Sequence, residues 1–230
     1  MPAMNHTKPF LLLFGLLAVC ACRPVRAAEA APAPFFVANW NVENLYDPVD
    51  DPDNDGDDEF LPNNPTTRWT QVRYETKLDN LAQVVNGMNQ GEGPDILGLE
   101  EVENEDVVRD LVDRLTVKSY GIVHVDSPDP RGIDTAMLFN RGRFALLESH
   151  AHKVPLKWGE TRDILHALLE DRDGDKLHVL VNHWPSRGGG TEESEQRRVI
   201  AARTLARIIE RIYQREPAAR IVILGDFNDE

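Results

Sequence analysis

Five polar residues stand where apolar runs end. Asn41 closes Phe35-Phe36-Val37-Ala38-Asn39-Trp40, and Glu101 closes Asp95-Ile96-Leu97-Gly98-Leu99-Glu100. His183 follows Leu180-Val181-Asn182, and Asp226 and Asn228 follow the apolar run that ends at Gly225. Amide and carboxylate oxygens are the donors a hard divalent cation takes, and an imidazole can give or accept a proton near neutral pH. Arg187, four residues after His183, carries a guanidinium fork that matches phosphate oxygens. Each residue alone has a plainer reading: Asn41 as a turn residue, Glu101 as a solvated carboxylate, His183 as a hydrogen-bonded core histidine. Together, at strand ends, they point to chemistry, because α/β folds open their sites at the carboxyl ends of strands.

The elements that must position them follow from periodicity. Residues Phe35–Val42 read as a strand leading into a turn-like exit at Asn44–Pro48. Leu78, Leu81, Val84, Val85 and Met88 recur at helical spacing before the stop at Gly91-Glu92-Gly93-Pro94. Asp95–Glu101 reads as a buried strand, and Asn104 caps a second helix with Val107, Val108, Leu111, Val112 and Leu115 on one face. Strand patterns then follow at Tyr120–Val125, Asp134–Asn140, Phe144–Val154, Asp163–Glu170 and Leu177–Trp184, the last two joined by a hairpin turn at Asp171–Asp175. A third helix over Glu192–Tyr213 carries Val199, Ala202, Leu205, Ala206 and Ile209, and Ala219–Gly225 closes as a strand. No internal repeat is present. The order fits an α/β fold, a two-sheet sandwich with mixed sheets and outer helices, better than a regularly alternating parallel fold.

Composition bounds the rest. A length of 230 residues with 41% apolar and 28% charged residues allows one folded domain and argues against disorder for its bulk. Residues 1–27 place Lys8 before an apolar run, Phe10–Cys20, that is too short to span a membrane and ends at Val25-Arg26-Ala27. They are expected to be a signal peptide, making the protein exported to the periplasm or the extracellular space; lipoprotein anchoring at Cys20 or Cys22 is the rival reading. Residues 28–34 form an Ala/Pro linker, and the domain occupies 35–230. Loss of Lys8, Arg23 and Arg26 with the leader takes the net charge from −14 to −17. Such a surface excludes broad adhesion to polyanions through a basic face. The two cysteines both lie in the leader, so disulfides play no part in the domain.

Five ordered blocks carry a resemblance. They are Asn39-Trp40-Asn41-Val42-Glu43-Asn44-Leu45-Tyr46-Asp47, Asp95-Ile96-Leu97-Gly98-Leu99-Glu100-Glu101-Val102-Glu103-Asn104, Arg131-Gly132-Ile133-Asp134-Thr135-Ala136, Asn182-His183-Trp184-Pro185-Ser186-Arg187 and Gly225-Asp226-Phe227-Asn228-Asp229. In these the chain resembles the endonuclease/exonuclease/phosphatase superfamily, the fold of DNase I, abasic-site endonucleases, inositol polyphosphate 5-phosphatases and bacterial sphingomyelinases. It is most similar to the exported bacterial branch, where Asp-rich text follows the first block. Glu100 departs from the pattern, since many members have Gln before the metal-binding Glu.

The resemblance implies metal-dependent hydrolysis of phosphoester bonds. Asn41 and Glu101 would hold Mg²⁺ or Mn²⁺, Asp226 would orient the attacking water, His183 would donate to a phosphoryl oxygen or the leaving group, and Asn228 would donate to the phosphate or hold a metal water. Arg187, and more weakly Arg131, would contact phosphate, and Asp134 is a weaker candidate still. The expected substrate is a phosphoester, with DNA or nucleotides foremost; no protein partner is inferable. The family's C-terminal Ser-Asp-His motif is not present, so the domain is expected to be C-terminally incomplete. The alternative is a catalytically inactive binding module that keeps the fold. Separately, Asp51, Asp53, Asp55, Gly56 and Glu59 reproduce the first half of a Ca²⁺ loop, with a solvated acidic loop as the alternative.

Overall fold

The computed structural model describes residues 34–229 apart from Asp53 and Gly189. The expected signal peptide and all but the last residue of the linker lie outside the described residues, as does Asp53 of the acidic loop. No helix among the described residues is long and apolar enough to cross a membrane.

Among the described residues, eight strands form two mixed sheets. The first contains β1 (Val37–Leu45), β2 (Ile96–Val102), β4 (Asp134–Asn140) and β3 (Tyr120–His124), in the spatial order β1-β2-β4-β3. The second contains β5 (Phe144–His152), β6 (Ile164–Asp171), β7 (Lys176–His183) and β8 (Ile221–Asp226), in sequential order. In each sheet one pair is parallel, β1 with β2 and β7 with β8. A parallel pair needs a long crossover, and helices supply it: α1 (Gln71–Gly91) between β1 and β2, α3 (Thr191–Arg215) between β7 and β8. The third helix, α2 (Glu105–Val112), follows β2, and Asn104 caps it by accepting from the Val107 amide at 3.0 Å.

Three apolar clusters define the layers. One lies under α1 and α2, built on Leu78, Leu81, Val85, Val107, Val108 and Leu111 against the first sheet. A second joins the sheets face to face, with Ile96, Met137 and Phe139 meeting Leu165, Leu169, Val179 and Val181. A third packs α3 on the outer face of the second sheet through Ala201, Leu205, Ile208 and Ile212. The expected face of α3 therefore differs from the observed one. Val199 is 38% exposed and Ala206 is exposed, because the helix is rotated to bury the stripe 201, 205, 208, 212 instead. On α1, Val84 likewise faces outward, 48% exposed, while Leu81 and Val85 beside it are buried.

Both parallel pairs end at the same rim. The Asn41 side-chain amide on β1 reaches Asp226 on β8 at 3.0 Å, and His183 on β7 faces Glu101 on β2 at 3.7 Å. The sandwich thus brings four strand ends from two sheets into one place.

Candidate functional site

Local backbone irregularity aims the side chains. Strict alternation along β2 would send Glu100 and Glu101 to opposite faces. Instead the register slips between Glu100 and Val102, and Glu101 adopts a left-handed φ of 63°. Such a bulge re-aims a side chain, and a non-glycine residue in this region holds about 1 to 3 kcal/mol of strain that its surroundings must offset. β1 slips similarly between Asn41 and Leu45, with Glu43 and Asn44 at φ 57° and 64°. There the Asn41 amide oxygen accepts from the Glu43 N–H at 2.9 Å, which keeps its nitrogen on Asp226. Gly225, at φ 141°, lets β8 run against β7 so closely that a Cβ would fall 2.1 Å from the Asn182 carbonyl oxygen.

These devices assemble a polar centre. His183 Nε2 lies 3.7 Å from Glu101 Oε1 and 3.9 Å from Asp226 Oδ2, and Arg131 Nη2 lies 3.5 Å from the same Glu101 oxygen. The His183 side chain is 3% exposed and its Nδ1 has no protein partner. Burial, reinforced by the Arg162 cation, pushes its pKa down to about 3, which keeps the imidazole neutral. Asp226 is held from two sides, by the Asn41 amide and by the Asn228 backbone N–H at 2.9 Å. Asn228 also donates its side-chain amide to the Trp184 carbonyl at 2.8 Å.

The centre opens into a cleft of about 240 Å³ lined by Glu101, Arg131, Arg162, His183, Arg197 and Asn228 among others. Sequence reasoning missed Asp129 and Arg162. Their buried ion pair, 2.7 Å long, stands at the cleft wall, and Arg162 is fixed further by donating to the Trp184 carbonyl at 2.9 Å. The Arg162 Nε and the Thr161 hydroxyl are buried in that wall without a protein partner. Nothing periodic marks these residues; they meet across 33 positions of sequence.

Asn41, Glu101, His183, Asp226 and Asn228 are thus brought together, with Arg131 at their edge. Arg187 is not in the cleft lining; it is 43% exposed with its Nη2 3.8 Å from Asp229. Asp134 accepts from His124 Nε2 at 3.0 Å and from the Ser127 N–H at 2.7 Å, a structural role within β3 and β4. In the acidic loop, ligand oxygens of Asp50, Asp57 and Asp58 lie within 4.8 Å of one another. This grouping differs from the expected Asp51, Asp55 and Glu59, because Asp57 turns inward to accept from the Asp51 N–H at 2.8 Å. Asp55 and Glu59 are exposed.

Residues 36–230 match the model of a family described as endonuclease/exonuclease/phosphatase. The chain belongs to that family. Its members are hydrolases acting on phosphoester bonds, and the family is divalent-metal dependent. No curated protein matches the chain.

Several solved structures share the fold. The human Nocturnin catalytic domain is 24% identical, covers 66% of this chain and 57% of its own, and superposes with a TM-score of 0.53. TDP2 from C. elegans is 21% identical over 85% of this chain and 48% of its own, with a TM-score of 0.57. A Bacteroides thetaiotaomicron mannosyl-6-phosphatase is 17% identical over 85% and 66%, with a TM-score of 0.59. The chain therefore spans only about half to two thirds of the length of these relatives.

The centre also suits the family's cation. Glu100 is fully buried, and its pKa is pushed up to about 8, first by desolvation and then by the charges of Asp226 and Glu101. Burial and the neighbouring charges thus keep Glu100 neutral beside a donor set of hard oxygens, and Arg131, 3.5 Å from Glu101, is half exposed. Glu101 and the second lone pair of the Asn41 amide oxygen are the groups that fit a Mg²⁺-type ion.

Proposed function

We propose that this family member hydrolyses phosphoester bonds with Mg²⁺ or Mn²⁺, acts on a nucleotide-derived substrate, and does so after export. The observation that carries the reading is the position of neutral His183 between Glu101 and Asp226, at 3.7 and 3.9 Å, facing a cleft rich in arginine.

Held by Glu101 and Asn41, a divalent cation would offset the charge that builds on the non-bridging and leaving oxygens during attack on phosphorus. The protein groups do the rest. Asp226 is acceptor-only while ionised and is pinned by Asn41 and Asn228, so it can orient a water and take its proton. His183, neutral, donates Nε2–H to a phosphoryl oxygen; its depressed pKa argues for this role over that of a cationic acid. Arg162 is held rigid by Asp129 and Trp184, so no side-chain freedom remains to be lost when phosphate arrives. Arg131 and Arg197 supply further positive charge at the mouth.

Support for a nucleotide-derived substrate comes from an adjoining groove of about 740 Å³ that shares Arg197 with the cleft and carries Lys157, Arg203 and Trp158. Trp158 is 80% exposed. An aromatic plane beside cations is a stacking platform for a base. The net charge of −14 favours short or single-stranded ligands over long duplex. Export rests on the leader at residues 1–27.

A side-by-side assay of the full-length protein on DNA, RNA, nucleotides, inositol phosphates and sphingomyelin tests the reading. Metal-dependent turnover with nucleotide-derived substrates preferred is expected. Preference for a substrate without a base would reject the substrate assignment.

A further inference from the structure

The negative charge of the chain is unevenly spread. Between Gln196 and Arg215 on α3 stand six arginines and a single glutamate, Glu210, in a protein of net charge −14. Four of the arginines, Arg203, Arg207, Arg211 and Arg215, recur at every fourth residue and are exposed. On a helix that spacing makes one continuous ridge, about 18 Å long at 1.5 Å per residue. None of the four forms an ion pair or a side-chain hydrogen bond with another described residue. A like-charge pair at this spacing costs a helix about 0.2 to 0.5 kcal/mol, and the fold recovers none of that cost through a partner of its own.

The ridge begins beside the cleft. α3 follows β7, which ends on His183, and returns the chain to the start of β8, so its first turns lie at the rim of the site and its last turns at the far end of the sheet. Arg197 borders both the cleft and the groove of about 740 Å³ that holds Arg203 and Trp158. Lys157 Nζ lies 5.9 Å from the Trp158 ring centroid. Farther along, Arg211 and Arg215 border a hollow of about 420 Å³ that is also lined by Lys176 and by His150, His152 and His166. Cleft, groove and hollow thus follow one another along the flank of α3 that faces β5 and the β5–β6 loop.

We propose that this ridge is the track of a single-stranded polynucleotide whose scissile phosphoester lies in the cleft. The inference rests on the reading of the cleft as a phosphoester site and specifies its substrate as a polymer, not a free nucleotide. Successive arginines rise by about 6 Å, a step comparable to the distance between neighbouring phosphates of an extended strand, and each guanidinium fork matches a phosphate. The row is one arginine wide on an otherwise acidic protein, which suits one strand and repels a second. Trp158 adds what an anionic lipid surface or an acidic peptide would not use, an exposed plane on which an unpaired base stacks. Glu148, Glu195 and Glu216 stand along the same path and hold the affinity in the range of a guide, not a clamp.

Fluorescence anisotropy of labelled oligothymidylates with the full-length protein, in EDTA to withhold the metal that hydrolysis needs, tests the track. Affinity should rise with strand length and level off at about 5 to 8 nucleotides, with a Kd of about 1 to 100 µM at physiological salt. Each phosphate contact on a single strand contributes about 0.7 to the slope of log K against log salt, so R207Q/R211Q/R215Q should lower that slope by about 2. Raising salt from about 50 to about 200 mM should then cost the wild type about 20-fold more affinity than the variant. Lysine at the same three positions should restore the slope, and W158A should weaken binding without changing it, since stacking releases no counterion. All three arginines are exposed, so the variants should melt with the wild type. Equal slopes in wild type and a folded R207Q/R211Q/R215Q protein would overturn the proposal. So would affinity independent of length, or polyglutamate or phosphatidylserine vesicles bound as tightly as the oligonucleotide. Such a result leaves metal-dependent hydrolysis in the cleft standing, whereas failure to hydrolyse any phosphoester would reject the cleft and leave the binding result in place.

Discussion

Replacing Glu100 by Gln should make the metal-free protein more stable at pH 8 and less stable, by about 1 to 2 kcal/mol, at pH 4. Glu100 is fully buried beside Asp226 and Glu101, and its pKa rises from 4.5 to about 8 on folding. A raised folded-state pKa contributes stability that is complete below 4.5 and is lost as pH climbs through 8. Each tenfold change in proton affinity is worth about 1.4 kcal/mol, so by pH 8 the wild type gives up about 4 kcal/mol at this position. Gln keeps the shape and can still accept from the Asn39 amide, now 3.1 Å from Glu100 Oε2. Its own NH₂ inherits the place of Glu100 Oε1, which has no partner, so part of the gain is returned. A net stabilisation of about 2 to 3 kcal/mol at pH 8 remains, or about 4 to 12 °C in Tm for a domain of this size. Calorimetric melts of both proteins in EDTA from pH 4 to pH 9 supply the measurement. A difference that does not grow between pH 4.5 and pH 8, or a less stable variant at pH 8, would refute the charge-crowding argument. Added Mg²⁺ should shrink the difference, because a cation at Glu101 relieves the same repulsion.

Asp129→Ala should cost about 3 to 5 kcal/mol by chemical denaturation, since it strands the Arg162 cation in the cleft wall; equal stability would show that the pair is solvated. Gly225→Ala should cost at least about 3 kcal/mol, because the added Cβ would lie 2.1 Å from the Asn182 carbonyl at a φ of 141°; a Tm unchanged from wild type would contradict that close approach. Trp158→Ala should raise KM for single-stranded DNA by about 5- to 100-fold, the worth of one stacked base, and leave KM for inositol phosphates alone; an equal effect on both would remove the stacking role.

Much of this architecture is legible in the sequence because burial imposes a period. The runs at 95–101, 134–140 and 177–184 read as strands and are strands, and Asn104 reads as a cap and caps. The placement of the polar residues at strand ends is visible for the same reason: each closes an apolar run. What was not legible depends on contacts rather than on period. Glu100 and Glu101 are adjacent letters, and the letters do not show that a register slip and a left-handed backbone at Glu101 replace strand alternation and aim Glu101 at the cleft beside buried Glu100. Asp129 and Arg162 lie near the starts of β4 and β6, and neither shows its partner until the sheets meet. On α3 the stripes through Val199 and through Ala201 share Leu205, and the outer face of the second sheet chooses the latter. His150-Ala151-His152 is plain in the text, but its meeting with His166 is a matter of β5–β6 register.

In the proposed reading, Glu101 and Asp226 flank a metal-dependent phosphoester site around His183. Hydrolysis of bis-(p-nitrophenyl) phosphate by the full-length protein, with and without Mg²⁺, beside E101Q and D226N, tests it most directly. Turnover is expected to need the metal and to fall by at least about 100-fold in each variant. Turnover that survives EDTA, or that is undiminished in a folded E101Q or D226N protein, would contradict it.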